Sequence, residues 1–460
     1  MRTIAPWQRF EAARAAIDEL TPFRFEGTIA AVSGLVVDVV GLSPLVGIGD
    51  RVGLQARDGA DIAAEVVGFR GECIQLMVFG DTAGLGPGGV AWVPCHAGRD
   101  EGVPTAGARL WVNDQWIGRV IDPLGRALDQ RGNLPRGTRG RPVRGGPLEA
   151  TARARLGPRL DLGVRALNSF TTCRQGQRLG LFAGSGVGKS TLMAMLARHT
   201  ACDVAVLALV GERGREVREF LEDDLGAEGL ARSVVVIATS DQPPLMRREA
   251  AYAAMTVAEH FRDQGQSVLL MMDSVTRFCL ALREIGLSAG EPPATRGYPP
   301  SVFAELPRLL ERAGPGRERA EGAGQITGLF TVLVEGDDHN EPVADAVRGI
   351  LDGHVILDRR IGETGRYPAV DVLRSLSRTV PGCNSAAENA LTRRARSILA
   401  LQADMADLVR LGAYRAGTDL AVDEALRLGP RIEQMLRQDK AERSDLDDTF
   451  QRLRDALEQV

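Results

Sequence analysis

Apolar residues near the N-terminus of the 460-residue chain recur every three or four positions. This spacing is typical of an amphipathic helix, here over residues 1–22. The apolar positions are Trp7, Phe10, Ala13, Ile17 and Leu20. The predicted helix either folds back on the β domain that follows it or docks a partner protein.

Between residues 23 and 94 the pattern changes to short β-type runs separated by turns of Gly, Asp and Pro. The runs are "RFEGTIAAV", "LVVDVV", "RVGLQA", "AAEVVGF", "CIQLMVF" and "VAWV". Their length and spacing predict a small β-barrel. None of them is a basic strand that carries aromatic residues, which argues against an RNA-binding barrel.

Further along, strand-like apolar runs alternate with helical stretches as far as about residue 375. The runs are "RLGLFA", "VAVLALV", "SVVVIATS", "SVLLMMD", "ITGLFTVLV" and "GHVILD". Unbroken apolar strands that alternate with helices predict a parallel sheet with helices on both faces. Residues 381–460 have a helical pattern, interrupted at "GAYRAG" and "LGP".

Composition narrows the class of protein. The chain is 44 % hydrophobic and 25 % charged, so it can bury a large core, and its net charge of −4 gives no reason to expect general nucleic-acid binding. The six cysteines are scattered, which predicts reduced thiols and no zinc site. No signal-peptide pattern and no run of 18 apolar residues occurs, so we expect a cytoplasmic chain, at most peripheral to a membrane. The Arg-, Gly- and Pro-rich segment 131–147 predicts a solvated loop or, alternatively, one that contacts phosphate or lipid.

The segment "AGSGVGKST" has the glycines and the Lys-Ser pair of a phosphate-binding loop, with Ala183 where the strict pattern has Gly. An apolar strand enters the segment and a helix leaves it. Its glycines let backbone N–H groups turn toward phosphates. Lys189 would add charge at the β- and γ-phosphate oxygens during catalysis, and the Ser190 hydroxyl would ligate Mg²⁺. The predicted ATP-binding residues here are Ala183, Gly184, Ser185, Gly186, Val187, Gly188, Lys189, Ser190 and Thr191.

Two carboxylates lie where apolar strands end. Asp273 ends "SVLLMMD" and is predicted to hold Mg²⁺ through a water molecule, with capping of the next helix as the alternative. Hydrolysis also needs a group that orients the attacking water. Glu212 ends a neighbouring predicted strand and would point into the same crevice. By spacing alone, Glu212 could equally form a surface ion pair with Arg213 or Arg215.

The segments "GERGRE", "MMDSVTRF" and "RYPAVDVLRSLSR" resemble the catalytic β subunit of rotary ATP synthases. The resemblance implies that Glu212 polarises the attacking water and that Arg213 and Arg277 line the γ-phosphate region. It also implies that Tyr367 stacks on the adenine and that Arg378 is an arginine finger. The non-catalytic α subunits of those enzymes lack the Glu, so the resemblance implies a catalytic chain.

Three segments outside this site resemble the ATPases of type III protein export. They are "GEPPATRGYPPSVFAELPRL", "TVLVEGDDHNEPVADAVRGILDGHVILDRR" and "LVRLGAYRAGTDLAVDEAL". Within that group the chain looks most like the flagellar export ATPases, with the injectisome ATPases as the alternative. The implied fold is α/β, a RecA-like P-loop ATPase core (residues 95–380) between an N-terminal small β-barrel (23–94) and a C-terminal helical domain (381–460). The implied activity is hydrolysis of ATP with Mg²⁺ by a homohexameric ring that delivers and unfolds flagellar subunits for export.

The same resemblance implies several partners. They are a stator-like regulatory protein at the N-terminal helix, a central stalk protein in the pore, the export gate, and chaperone–substrate complexes at the C-terminal helices. The implied location is the cytoplasmic face of the inner membrane at the flagellar base. "GEPPATRGYPP" is the predicted pore loop because its prolines stiffen a Gly-flanked projection, and an ordinary crossover loop is the alternative.

Two functions of other classes are alternatives to this prediction. An RNA translocase would need an RNA-binding barrel, for which the sequence shows no pattern, and no nucleic-acid partner is predicted. A non-catalytic ring subunit would bind nucleotide without hydrolysing it, and Glu212 argues against that function.

Overall fold

The computed structural model describes residues 23–95, 108–184, 186–320, 322–334 and 341–458. The predicted N-terminal helix over residues 1–22 and the predicted ATP-binding residue Ser185 lie outside the described residues.

A closed barrel of six antiparallel strands forms the N-terminal part of the described chain, in the order β1-β2-β5-β4-β3-β6. The strands are β1 (Phe23–Ser33), β2 (Val36–Val40), β3 (Arg51–Gln55), β4 (Asp61–Arg70), β5 (Cys73–Val78) and β6 (Val90–Cys95). Alternate residues point inward, as the two-residue period of a strand requires, and Val37, Val39, Leu54 and Leu76 are fully buried there. The predicted barrel is confirmed.

A nine-stranded sheet forms the centre of the molecule. Its strands are β8 (Val120–Ile121), β12 (Arg178–Ala183), β13 (Val204–Glu212), β14 (Ser233–Thr239), β15 (Ser267–Asp273), β16 (Gly314–Pro315), β17 (Gln325–Leu333), β18 (Gly353–Leu357) and β19 (Val370–Ser377). Two small two-stranded sheets pair β7 (Arg109–Leu110) with β9 (Arg141–Pro142) and β10 (Arg159–Leu160) with β11 (Cys173–Arg174). The sheet order is β19-β18-β12-β17-β15-β13-β14-β8, and β16 pairs with β17. Its neighbouring strands are parallel except at β18–β19 and β16–β17.

Helices cover both faces of this sheet. They are α1 (Arg165–Phe170), α2 (Lys189–His199), α3 (Gly214–Glu219), α4 (Gly226–Ala231), α5 (Pro244–Arg262), α6 (Val275–Ser288), α7 (Pro300–Leu310), α8 (Pro342–Ile350), α9 (Arg359–Glu363), α10 (Ala386–Arg410), α11 (Leu420–Leu436) and α12 (Leu446–Glu458). Successive residues of β13 belong to two different cores. Leu207 packs in the core with α2 and the C-terminal helices, whereas Val206 packs in the core with α5 to α8. Burial on both faces explains why the strands are apolar throughout.

The C-terminal helices α10, α11 and α12 pack on the first of these cores. A capping box at Ser385 and Glu388 fixes the start of α10. The apolar stripe of α12, which consists of Phe450, Leu453 and Leu457, is buried in this core. The α/β fold class with a barrel and a helical domain is confirmed, while the domain boundaries given above stay predictions. Within the described part of the chain, no helix combines the length and the apolarity needed to cross a membrane.

A buried ion network joins the barrel to the central domain. The Glu65 carboxylate of β4 accepts hydrogen bonds of 2.9 and 2.5 Å from the Arg248 guanidinium of α5. Burial opposes the charge of Glu65, but Arg248 outweighs it with help from Arg144 and Arg51 and holds the pKa of Glu65 below its usual range. The buried Glu65 carboxylate therefore depends on these arginines to keep its negative charge.

The arginine-rich segment 131–147 contributes to this interface. Arg144 lies 3.1 Å from Glu65, and Arg141 pairs with Asp263 of the chain segment that follows α5 at 2.7 Å. The Arg136 guanidinium stacks over the Trp111 ring. Most of the segment is exposed, as predicted for a solvated loop, and these three arginines in addition contact carboxylates and an aromatic ring of other parts of the chain.

Candidate active site

The phosphate-loop segment connects the end of β12 to the first turn of α2. Gly186 and Gly188 have φ angles of 75° and 90°, a left-handed conformation that strongly favours glycine. Gly188 is the residue before α2, so the N–H groups of the first helical turn face outward beside Lys189 and Ser190. This end of a helix attracts anions. The backbone thus has the conformation that phosphate binding requires.

A cleft of about 710 Å³ opens over this loop. The structure brings nine of the predicted residues together in its lining: Gly184, Gly186, Gly188, Lys189, Ser190, Thr191, Glu212, Arg213 and Arg277. Ala183 and Val187 are buried behind the loop, where they support it. The loop and the end of β13 therefore share one crevice, while Asp273 at the end of β15 lines a smaller cavity beside it.

Glu212 is the last residue of β13, and its carboxylate lies between two cationic groups. Glu212 Oε1 is 3.7 Å from Lys189 Nζ and 3.3 Å from Arg277 Nε. No donor among the described residues forms an aligned hydrogen bond with this oxygen, which is shielded from solvent. A buried acceptor without a donor beside a phosphate loop is suited to hold a water molecule.

The two arginines considered as surface partners of Glu212 pair with other residues. Arg213 contacts Glu216 at 2.8 Å, and Arg215 contacts Glu219 at 2.7 Å. The interpretation of Glu212 as part of a surface ion pair with either arginine is therefore wrong. The Arg213 side chain is 75 % exposed, so it stands at the rim of the cleft.

Asp273 is the last residue of β15 and forms an ion pair with Lys189. Its Oδ1 also accepts a 2.7 Å hydrogen bond from the buried Thr331 hydroxyl of β17. Helix α6 is capped by Ser274, whose side chain accepts from the Arg277 N–H, so Asp273 does not cap it. The sequence analysis missed Thr331 because a threonine in an apolar strand gives no signal of its own.

The protonation of Glu212 is coupled to a second carboxyl group. Burial raises the pKa of Glu212, the nearby Lys189 ammonium opposes this shift, and the Asp273 charge adds to it. Glu212 and Glu216 share a hydrogen bond. Partial burial works against the Glu216 charge, but the bonds from Glu212 and Arg213 hold the pKa of Glu216 below its usual range. Sequence analysis did not name Glu216, although it is the second Glu of "GERGRE".

A smaller cavity of about 140 Å³ adjoins the cleft and is lined by Ser190, Asp273, Glu212 and Glu216 among others. Its polar groups include one hydroxyl and several carboxylates. Oxygen ligands of this kind are those that Mg²⁺ prefers, and such sites commonly use one or two protein groups together with phosphates and water. The residues present therefore fit a magnesium ion bound with a nucleotide.

Tyr367 and Arg378 lie apart from this lining. The Tyr367 ring is half-exposed, and it passes within 3.5 Å of the position that a Cβ on Gly188 would occupy. It thus stands beside the end of the phosphate loop. Arg378 follows β19 with an exposed side chain, and it is not among the described residues that line the cleft.

Comparison with protein families divides the chain in the same way as the structure. Residues 163–377 match the model of the ATP synthase alpha/beta family, nucleotide-binding domain. Residues 29–90 match the beta-barrel domain of that family. Residues 384–455 match the T3SS EscN ATPase C-terminal domain.

Relatives match over nearly their whole length. The chain is 52 % identical to the flagellum-specific ATP synthase of Caulobacter vibrioides over 438 residues, which cover 95 % of this chain and 96 % of the relative. It is 43 % identical to the flagellum-specific ATP synthase of Salmonella typhimurium over 458 residues, 98 % of this chain and 97 % of the relative.

A solved structure has the same fold. The assembled ATPase EscN from the type III secretion system of enteropathogenic E. coli superposes with a TM-score of 0.83 at 36 % identity, covering 94 % of this chain and 100 % of that chain. The predictions of an ATPase and of the flagellar branch of type III export are confirmed. The chain therefore belongs to the flagellum-specific ATP synthases, the ATPases of flagellar type III protein export within the ATP synthase alpha/beta family.

Proposed function

We propose that the cleft at the carboxyl ends of β12, β13 and β15 is the site of ATP hydrolysis and that the chain works as a homohexameric ring. The observation that carries this proposal is the Glu212 carboxylate, which is shielded from solvent and lies within 4 Å of Lys189 and Arg277 beside the phosphate loop. A carboxylate in that place can orient a water molecule toward a bound γ-phosphate.

Nucleotide binding rearranges the ion pairs seen here. Phosphate oxygens compete with Asp273 for Lys189, which then neutralises phosphate charge. The freed Asp273 carboxylate, held by Thr331, and the Ser190 hydroxyl would hold Mg²⁺, Asp273 through a water molecule. When bound, the ion neutralises charge on the β- and γ-phosphates. The Glu212 carboxylate, which lies near Lys189 and Arg277, orients the attacking water.

Arg378 is proposed to act on the nucleotide of a neighbouring subunit. It is exposed at the end of β19, an edge strand of the sheet, and it does not line its own cleft. Leu373 and Leu376 on the same strand are 38 % and 51 % exposed, as expected of side chains that a second copy covers. The assembled state of the structural relative EscN supports a ring.

The proposed partners follow from the relatives and from exposed elements. EscN has also been solved in complex with its central stalk EscO, with a TM-score of 0.82 to this chain. We assign the equivalent stalk contact to the segment between α6 and α7, where residues 292–296 are exposed. The other proposed partners are the export gate, chaperone–substrate complexes at the C-terminal helices, and a stator-like protein at residues 1–22. The proposed location is the cytoplasmic face of the inner membrane.

The test is ATPase activity with and without RNA for the parental chain and Lys189→Ala. Loss of the Lys189 charge should lower both nucleotide affinity and rate, and RNA should have no effect. RNA-stimulated hydrolysis would contradict the proposal in favour of an RNA translocase. Copurification from cells distinguishes flagellar export from an injectisome, since hook and filament subunits, not virulence effectors, should accompany the chain.

A further inference from the structure

The backbone around Tyr367 is attached to the C-terminal helical domain. The Gln438 N–H, two residues after α11, donates a 2.9 Å hydrogen bond to the Tyr367 carbonyl. The neighbouring Arg366 is only 3 % exposed, and its guanidinium donates to the Val370 carbonyl at 2.9 Å. Its Nε lies 2.6 Å from Glu433 Oε2 of α11. Contacts from Glu433 near the end of α11 and from Gln438 just after it therefore hold the segment that carries Tyr367.

That end of α11 is itself fixed to the nucleotide-binding domain. The Gln438 side chain accepts from the Arg165 N–H at 2.8 Å and donates to the Gly163 carbonyl at 2.8 Å. The other end of the 17-residue helix begins at Leu420, which is 84 % exposed at the turn from α10. At 1.5 Å per residue α11 spans about 25 Å, from an exposed helical hairpin to the Tyr367 segment.

Glu433 matters because Arg366 is buried. Burial lowers the pKa of Arg366, and the Glu433 carboxylate is the largest influence that opposes this shift. The Glu433 side chain is 39 % exposed, so its own removal exposes little apolar surface and should not unfold the domain. Without it, the buried guanidinium would be left with carbonyl acceptors and the weaker influence of Asp371, and would move toward water. The displaced backbone would carry the Tyr367 ring with it.

We propose that Glu433 is a positioning residue for the nucleotide base. Acting through Arg366, it holds the Tyr367 ring where the adenine stacks, so that the position of the C-terminal helical domain sets nucleotide affinity. This inference rests on the base-stacking role proposed for Tyr367. It assigns to α11 the link between events at the helical hairpin and the strength of ATP binding.

The experiment compares Glu433→Ala with Glu424→Ala in the full chain. Glu424 is a matched control, because it lies on the same helix and also pairs with an arginine of another element, Arg394, at 2.6 Å. Base stacking on an aromatic ring contributes roughly 5- to 150-fold to affinity. We therefore expect Glu433→Ala to raise the KM for ATP about 3- to 10-fold and to change kcat less than about 2-fold, whereas Glu424→Ala keeps parental values.

Inorganic tripolyphosphate serves as a ligand without a base. Its competitive inhibition constant should be the same in the parental chain and in Glu433→Ala, because the phosphate loop is untouched. Weakened inhibition by tripolyphosphate, to the same extent as the rise in KM, would show a general structural defect and overturn the inference. Glu433→Gln keeps the shape of the side chain and should give a smaller rise in KM, which covers the case in which the alanine variant is unstable.

Tyr367→Ala separates this inference from the function on which it depends. If Glu433 acts through Tyr367, the double variant should have the same KM as Tyr367→Ala alone. Additive effects, or a KM unchanged by Glu433→Ala while Tyr367→Ala raises it, would refute the link but leave the role of Tyr367 intact. A KM unchanged by Tyr367→Ala would refute the base-stacking role itself.

Discussion

Replacement of Glu212 by glutamine should abolish turnover without harming the fold. Gln keeps the size of the side chain and can still accept a hydrogen bond from a water molecule, but it has no negative charge to polarise that water and cannot take up its proton. Removal of a positioned general base costs about 10²–10⁴-fold in rate. At 1.36 kcal/mol per factor of ten, this corresponds to about 2.7–5.4 kcal/mol of transition-state stabilisation. Nucleotide binding should remain, because Lys189 and the loop are unchanged.

The structure also fixes the direction of the effect on stability. Because burial raises the pKa of Glu212 in the folded chain, the group favours folding below its unfolded pKa, and that contribution is lost as pH rises through the folded pKa. At pH 8 the buried carboxylate therefore does not stabilise the fold, and the Tm of Glu212→Gln should equal or exceed that of the parental chain. At a pH below the normal pKa of a glutamate, the Tm of the parental chain should rise relative to the Tm of Glu212→Gln.

The assay measures phosphate release, binding of a fluorescent ATP analogue, and Tm at several pH values. The matched control is Glu222→Gln, since Glu222 lies on the surface just after α3 and pairs only with the exposed Arg218 among the described residues. It should keep parental activity and Tm. Hydrolysis by Glu212→Gln at the parental rate would refute the water-polarising role. A Tm lowered by several degrees at pH 8 would refute the argument from burial.

The remaining predictions concern other parts of the molecule. Rings mixed from Arg378→Ala and Glu212→Gln chains should recover activity that neither variant shows alone, measured by phosphate release, because one interface can combine an intact Arg with an intact Glu. Activity that does not return in verified mixed rings would refute the shared site. Arg248→Ala should destabilise the chain by about 3–5 kcal/mol in denaturant unfolding, since it removes the buried guanidinium that donates two hydrogen bonds to Glu65 and leaves that buried carboxylate with the partly exposed Arg144; a change under about 1 kcal/mol would contradict this. Trp7→Ala with Phe10→Ala should keep Tm and basal ATPase but lose the stator-like partner in pull-downs, and a lowered Tm with binding retained would contradict docking.

Sequence reasoning located this site through positions that parallel strands define by themselves. Glu212 and Asp273 each end an apolar run, and carboxyl ends of parallel strands meet at one edge of a sheet. That rule needs no knowledge of the strand order, which the sequence did not provide. Glu216 and Thr331 escaped notice because their roles depend on contacts across space. A hydroxyl inside a buried strand and a glutamate in a helical first turn are common, and only the fold places them beside Asp273 and Glu212.

Residues that link domains or subunits are harder still to predict from sequence patterns. The periodicity of a helix reports which face is apolar, and Glu433 is a polar residue on an amphipathic helix like many others. Its partner Arg366 lies on a distant loop, and the pair becomes visible only when α11 packs against that loop. Arg378 is harder still to recognise, because its proposed target belongs to another subunit and its side chain has no ion pair within the described part of the chain. Only the resemblance of "RYPAVDVLRSLSR" to a known catalytic family pointed to Arg378. We infer that coupling between subunits and between domains, the part of the mechanism that turns hydrolysis into movement, is also the part that local sequence patterns encode least.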